Sequence, residues 1–123
     1  MSTHPVAIYR AWLNSSGHAE MTGSPADCSD KVGDEFTAGD GYISGRNIEL
    51  DPGRRIVQSW RTTEFAESDP DSLIEVLLSP TNTGTLVTIR HTNIPDSQDS
   101  AGYEQGWIDY YLEPMKEYFS ASS

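Results

Sequence analysis

The apolar residues of this chain change their period part-way along it. Between Gly33 and His91 apolar residues recur at every second position, and from Asp96 to Phe119 they recur at every third or fourth. Such a chain builds a sheet and then lays a helix across it. Phe36 and Ala38 open the alternation, Gly39-Asp40-Gly41 turns it, and Tyr42 to Leu50 reads as a second strand. Asp51-Pro52-Gly53 is a turn signal, because proline presets φ at the first central position and glycine accepts a positive φ at the second. Arg55 to Thr63 then returns antiparallel. After a solvated acidic connection from Glu64 to Asp71, Leu73 to Ser79 and Thr85 to His91 complete a five-strand meander.

Helices flank the strands. Pro5 suits a first helical turn, with Thr3 and His4 as candidate caps and Ile8, Tyr9 and Trp12 at helical spacing behind it, so residues 5–13 form a short helix. Ser16 is expected to cap a second short helix that ends at Gly23. In the last segment Tyr103, Trp107, Tyr110, Tyr111, Met115, Tyr118 and Phe119 make one broad aromatic face. Asp96 or Ser97 would cap it, and Pro114 should bend it. The class is α+β.

At 123 residues the chain has room for one domain, 1–123. Its 8 Lys+Arg against 19 Asp+Glu leave a net charge of −11, which repels phosphate backbones, so nucleic acid and anionic membranes are poor partners. Met1 to Pro5 opens no leader pattern and no long apolar run occurs, so no signal peptide or spanning helix is expected and the location read from the sequence is cytoplasmic. Cys28, the single cysteine, falls in a loop and is expected to be exposed and idle. His4, His18 and His91 share no ligand spacing, so no metal site and no cofactor are expected.

Two polar residues stand on apolar strand faces. Ile56, Gln58 and Trp60 share one face of the third strand, and the amide of Gln58 needs a partner there: a core neighbour, a trapped water or a ligand. Val87, Ile89 and His91 share one face of the fifth, so His91 is either a satisfied core histidine or part of a cavity wall. Tyr42, Trp107 and Tyr111 could bring a hydroxyl or indole N–H to the same space.

The segments GDEFTAGDGYISGRNIELDPGRRIVQSWRTTEF, GTLVTIRHTNIP and GWIDYYLEPMKEYF together resemble the START-related SRPBCC superfamily, in the branch of heat-shock-protein-90 ATPase activator homologues. The matching residues are Pro5, Gly33 and Phe36, the run from Gly45 to Trp60, His91, and the pair Gly106 and Trp107. The resemblance implies a helix-grip fold, an antiparallel sheet curled around a long C-terminal helix. It also implies three functions: a carrier of hydrophobic or aromatic small molecules, a cyclase or hydrolase with His91 as acid or base, or a cochaperone-like protein-binding domain. The first is preferred, with Phe36, Tyr42, Ile48, Gln58, Trp60, His91, Trp107 and Tyr111 as ligand-binding residues. Members carry a strand ahead of the first helix, and only Met1 to His4 stand there here. The strand from Gly84 to His91 would then have an unpaired edge, which invites a homodimer.

Overall fold

Pro5 opens α1 (Pro5–Trp12), because a first-turn residue has no use for an N–H. The chain is described here from a computed structural model, which covers residues 1–95, 98 and 100–121. Neither expected side-chain cap of α1 forms; the His4 carbonyl receives the first N–H groups instead. In α2 (Ser15–Thr22) the cap is Asn14, one residue before the helix, whose Oδ1 accepts the Gly17 N–H at 2.9 Å. Gly23 closes α2 in the left-handed conformation.

The strands are β1 (Glu35–Ala38), β2 (Ile43–Asp51), β3 (Arg55–Thr62), β4 (Ser72–Thr81) and β5 (Gly84–Thr92). Each pairs antiparallel with the next, so the expected meander forms with sheet order β1-β2-β3-β4-β5. Ile56, Gln58 and Trp60 of β3 and Ile74, Val76 and Leu78 of β4 face inward. Arg55, Glu75 and Arg90 link β3, β4 and β5 as ion pairs on the other face. Among the described residues no helix is long and apolar enough to cross a membrane.

Two departures from simple alternation shape the sheet. In β2 the register shifts by one residue between Asn47 and Glu49, so Ile48 is the extra residue of a bulge. Asn47 is consequently buried and Ile48 is exposed, against the expectation that Ile48 faces a ligand space. At Gly45 the Ser59 carbonyl comes so close that a Cβ would sit 1.8 Å from its oxygen, so β2 and β3 can approach there only through glycine.

The expected unpaired edge of β5 is corrected at its start. No strand precedes α1 in the element order, but Met1 exchanges backbone hydrogen bonds with Thr85, and Thr85 Oγ1 donates to the Thr3 carbonyl at 2.7 Å. Gly84 admits this short stretch, since a Cβ there would lie 1.8 Å from the Met1 oxygen.

The C-terminal helix runs as α3 (Ser100–Trp107), a π-helical turn (Ile108–Leu112) and α4 (Glu113–Ala121). Asp96 and Ser97, the expected caps, lie outside the described residues. The disturbance expected at Pro114 takes the form of this π turn, in which the Glu113 N–H reaches back five residues to the Ile108 carbonyl. The turn has a packing consequence. Residues spaced four apart drift about 40° per step around an ordinary α-helix, and one wider turn offsets that drift. Trp107, Tyr111, Met115 and Phe119 are all buried, whereas Tyr110, expected on the same face, is 73% exposed. The architecture is the helix-grip that the family resemblance implies.

Candidate functional site

Three hydrogen-bonded chains fill the space between sheet and helices, and they use polar residues that the sequence offers as ligand contacts. The first starts at Trp12, whose indole N–H donates to Gln58 Oε1 at 3.1 Å. Gln58 Nε2 then donates to Asn47 Oδ1 at 2.8 Å, and Asn47 Nδ2 donates to the carbonyls of Ser29 and Lys31. Gln58 is therefore a core amide tying α1 to β2 and β3. The bulge at Ile48 is what turns Asn47 inward to meet it.

In the second chain His18 bridges helices. Its Nδ1 lies 2.8 Å from the Trp12 carbonyl, which can only accept, so Nδ1 carries the proton and Nε2 accepts from the Tyr111 hydroxyl at 2.7 Å. Burial lowers the His18 pKa and raises that of Tyr111.

The third chain accounts for His91. The Trp107 indole N–H donates to His91 Nδ1 at 3.1 Å, which leaves the ring proton on Nε2. Nε2 then donates to Ser72 Oγ at 2.8 Å, and Ser72 donates to the Trp60 carbonyl at 2.6 Å. Both nitrogens are occupied in a neutral ring, and burial pushes the His91 pKa down to about 4. The unfolded chain binds this proton near the ordinary value of 6.5. Between these values the unfolded state holds more protons, so the His91 contribution is complete above about pH 6.5 and declines as pH falls toward 4. Urea midpoints at pH 7 and pH 5 should differ less in His91→Gln than in the unaltered chain. Equal differences would show that His91 ionises freely in the folded protein.

Open space lies at one end of this packed interior. A cleft of about 570 Å³ is bordered by the turn before β2 (Gly39, Tyr42, Ile43), Trp60 and Glu64, the end of α2 (Thr22, Ser24), and the last helix from Gly102 to Tyr111. Trp60, Trp107 and Tyr111 form its floor and are buried, with Trp60 and Trp107 ring centroids 5.5 Å apart. At the rim the Tyr42 hydroxyl donates to Glu64 Oε2 at 2.8 Å, and Gln98 donates to the Glu64 carbonyl at 3.3 Å. Burial, followed by the bond to Glu64, raises the Tyr42 pKa.

Of the residues expected to bind a ligand, Tyr42, Trp60, Trp107 and Tyr111 meet at this cleft. Phe36, Gln58 and His91 do not line it: Phe36 is core, and the other two belong to the chains above. Ile48 is on the bulge. Glu64 and Gly106, which are not among those expected residues, also border the cleft. The signal for Glu64 is its neighbour Phe65, an aromatic within an acidic stretch, which is buried against Trp60 and pins the connection beside the cleft. Cys28 is half-buried where exposure was expected, since its backbone is held by Ser15 Oγ, and burial pushes its thiol up to about 11.

A family model described as "Activator of Hsp90 ATPase homolog 1-like protein" matches residues 2–120. The human activator of 90 kDa heat shock protein ATPase homolog 1 is 28% identical over 117 residues, which are 95% of this chain and 34% of the human protein. The chain thus spans about a third of the length of the curated relatives it matches. Among solved structures, an HSP90 activator from Plasmodium falciparum superposes with a TM-score of 0.82 at 22% identity, over 94% of this chain and 87% of that one. The Aha1 dimer from Colwellia psychrerythraea has a TM-score of 0.76 at 19% identity, over 92% of this chain and 86% of that one.

Proposed function

The chain belongs to the activator of Hsp90 ATPase homolog 1-like family, and on that premise we propose that it is a binding module for an apolar or aromatic small molecule. The cleft carries the reading: it has the volume of a small-molecule site, an aromatic floor and a few polar groups at one rim. Binding is preferred to acid–base chemistry because both ring nitrogens of His91 are engaged, by Trp107 and Ser72, and His91 itself does not line the cleft.

Gly106 provides the test. It borders the cleft from α3, and a Cβ there would meet the Tyr110 ring at 3.8 Å, an ordinary contact. Gly106→Leu should therefore fill the cleft while gaining roughly 0.5–1 kcal/mol of helix propensity. The expected result is loss of binding to a panel of naphthalene compounds, with thermal stability unchanged or raised, read from the indole N–H signals of Trp60 and Trp107. Absence of binding by the unaltered chain would refute the reading.

A second reading, contact with a heat-shock chaperone, is supported by the match of nearly the whole chain to a third of the human activator. If it holds, adding the chain to a 90 kDa heat-shock protein raises its ATPase rate; an unchanged rate at saturating chain counts against it. A homodimer along the remainder of the β5 edge belongs to the same proposal, supported by the Colwellia psychrerythraea dimer.

A further inference from the structure

Resting on the small-molecule reading of the cleft, we infer that its ligand is a cationic amine with an apolar body, held by Glu64 at the rim and by the aromatic floor. The observation is the sign of everything charged around the cleft. Among the described lining residues there is a carboxylate, Glu64, and no Lys, Arg or His. The adjoining end of α2 is its C-terminal end, which carries the negative pole of the helix. The nearby guanidinium of Arg61 is engaged elsewhere, with Asp71 and the carbonyls of Asp69 and Ala66. An anionic ligand would meet repulsion with no counter-ion among the described lining residues, and a neutral one would gain nothing from the charge of Glu64.

The geometry around Glu64 suits an ammonium. Tyr42 occupies one acceptor position on a carboxylate that offers about four, so lone pairs remain for an N–H donor. That hydroxyl bond and the Gln98 bond to the Glu64 backbone hold the residue at the rim before any ligand arrives. Tyr42, Tyr103 and Tyr110 line the same cleft, and an aromatic ring attracts a cation at its face through the quadrupole. Beyond them the indoles of Trp60 and Trp107 offer an apolar surface for the remainder of the ligand.

The test uses three probes of one shape: 2-(naphthalen-2-yl)ethylamine, 2-(naphthalen-2-yl)ethanol and 2-naphthylacetate. Each is titrated into the unaltered chain and into Glu64→Gln at 150 mM salt. Trp60 and Trp107 indole signals report the cleft. The amine is expected to bind about 5- to 10-fold more tightly than the alcohol, with the acetate weakest. Glu64→Gln should remove the preference, bringing the affinity of the amine to that of the alcohol. Equal binding of amine and alcohol, or a preference that survives Glu64→Gln, overturns the inference and leaves the cleft reading standing. Failure of all three probes overturns both. If Glu64→Gln does not fold, the ranking of the three probes on the unaltered chain still decides.

Discussion

Replacing Trp60 by alanine is expected to destabilise the protein by about 3–5 kcal/mol, as loss of a large buried aromatic does. Trp60 is 4% exposed and lies at the junction of sheet, connection and last helix. Its ring meets His91 at 4.6 Å, Tyr103 at 5.3 Å, Trp107 at 5.5 Å and Phe65 at 6.3 Å between centroids. Truncation leaves a cavity that these rings cannot close without moving, because each is fixed from another element. Trp107 is held by its bond to His91, and Phe65 follows the hydrogen bond from its N–H to Thr62. The same change removes the cleft floor, so ligand binding should fall together with stability. Denaturant titration checks the first effect, and a loss below about 1 kcal/mol would contradict the packing described.

The second large effect is expected at Gln58, and it falls on stability. Gln58→Leu leaves the Trp12 indole N–H and the Asn47 side-chain carbonyl without their partner. Both residues are 1% exposed, so water cannot replace the amide without disrupting the core. An orphaned buried polar group costs about 1–3 kcal/mol, and two of them, offset in part by the apolar gain of leucine, give a net loss of roughly 2–4 kcal/mol. Ligand affinity at the cleft should be unchanged, since Gln58 does not border it. Trp12→Phe in the Gln58→Leu background should then cost less than in the unaltered chain, because the N–H it removes is already unpaired. Additive losses, or a drop in affinity with stability retained, would place Gln58 at the ligand.

Much of the fold is legible along the chain for a local reason. Alternation at period two and recurrence at three or four are properties of neighbouring residues, and turn residues such as Asp51-Pro52-Gly53 act within four positions, as the Arg54 N–H to Asp51 carbonyl bond shows. The element order, the inward face of Ile56, Gln58 and Trp60, and the meander follow from these signals. Less of the site is legible. Tyr42, Trp60, Trp107 and Tyr111 stand out as aromatics near strand and helix faces, but an aromatic that packs and one that lines a cleft have the same local pattern.

Local pattern is enough to specify five antiparallel strands followed by an aromatic helix, because each period is set by the backbone geometry of the element that carries it. What the inward polar groups do, and where space remains, follows from how the elements dock. One extra residue at Ile48 exchanges the faces of β2 and brings Asn47 to Gln58, and no short-range pattern counts that residue. Trp12 reaches Gln58 across 46 positions and His18 reaches Tyr111 across 93, so their satisfaction depends on how whole elements dock. The cleft exists where that docking ends: the rings of Trp60, Trp107 and Tyr111 fill the interior up to one rim, and Glu64 stands there because Phe65 beside it is buried.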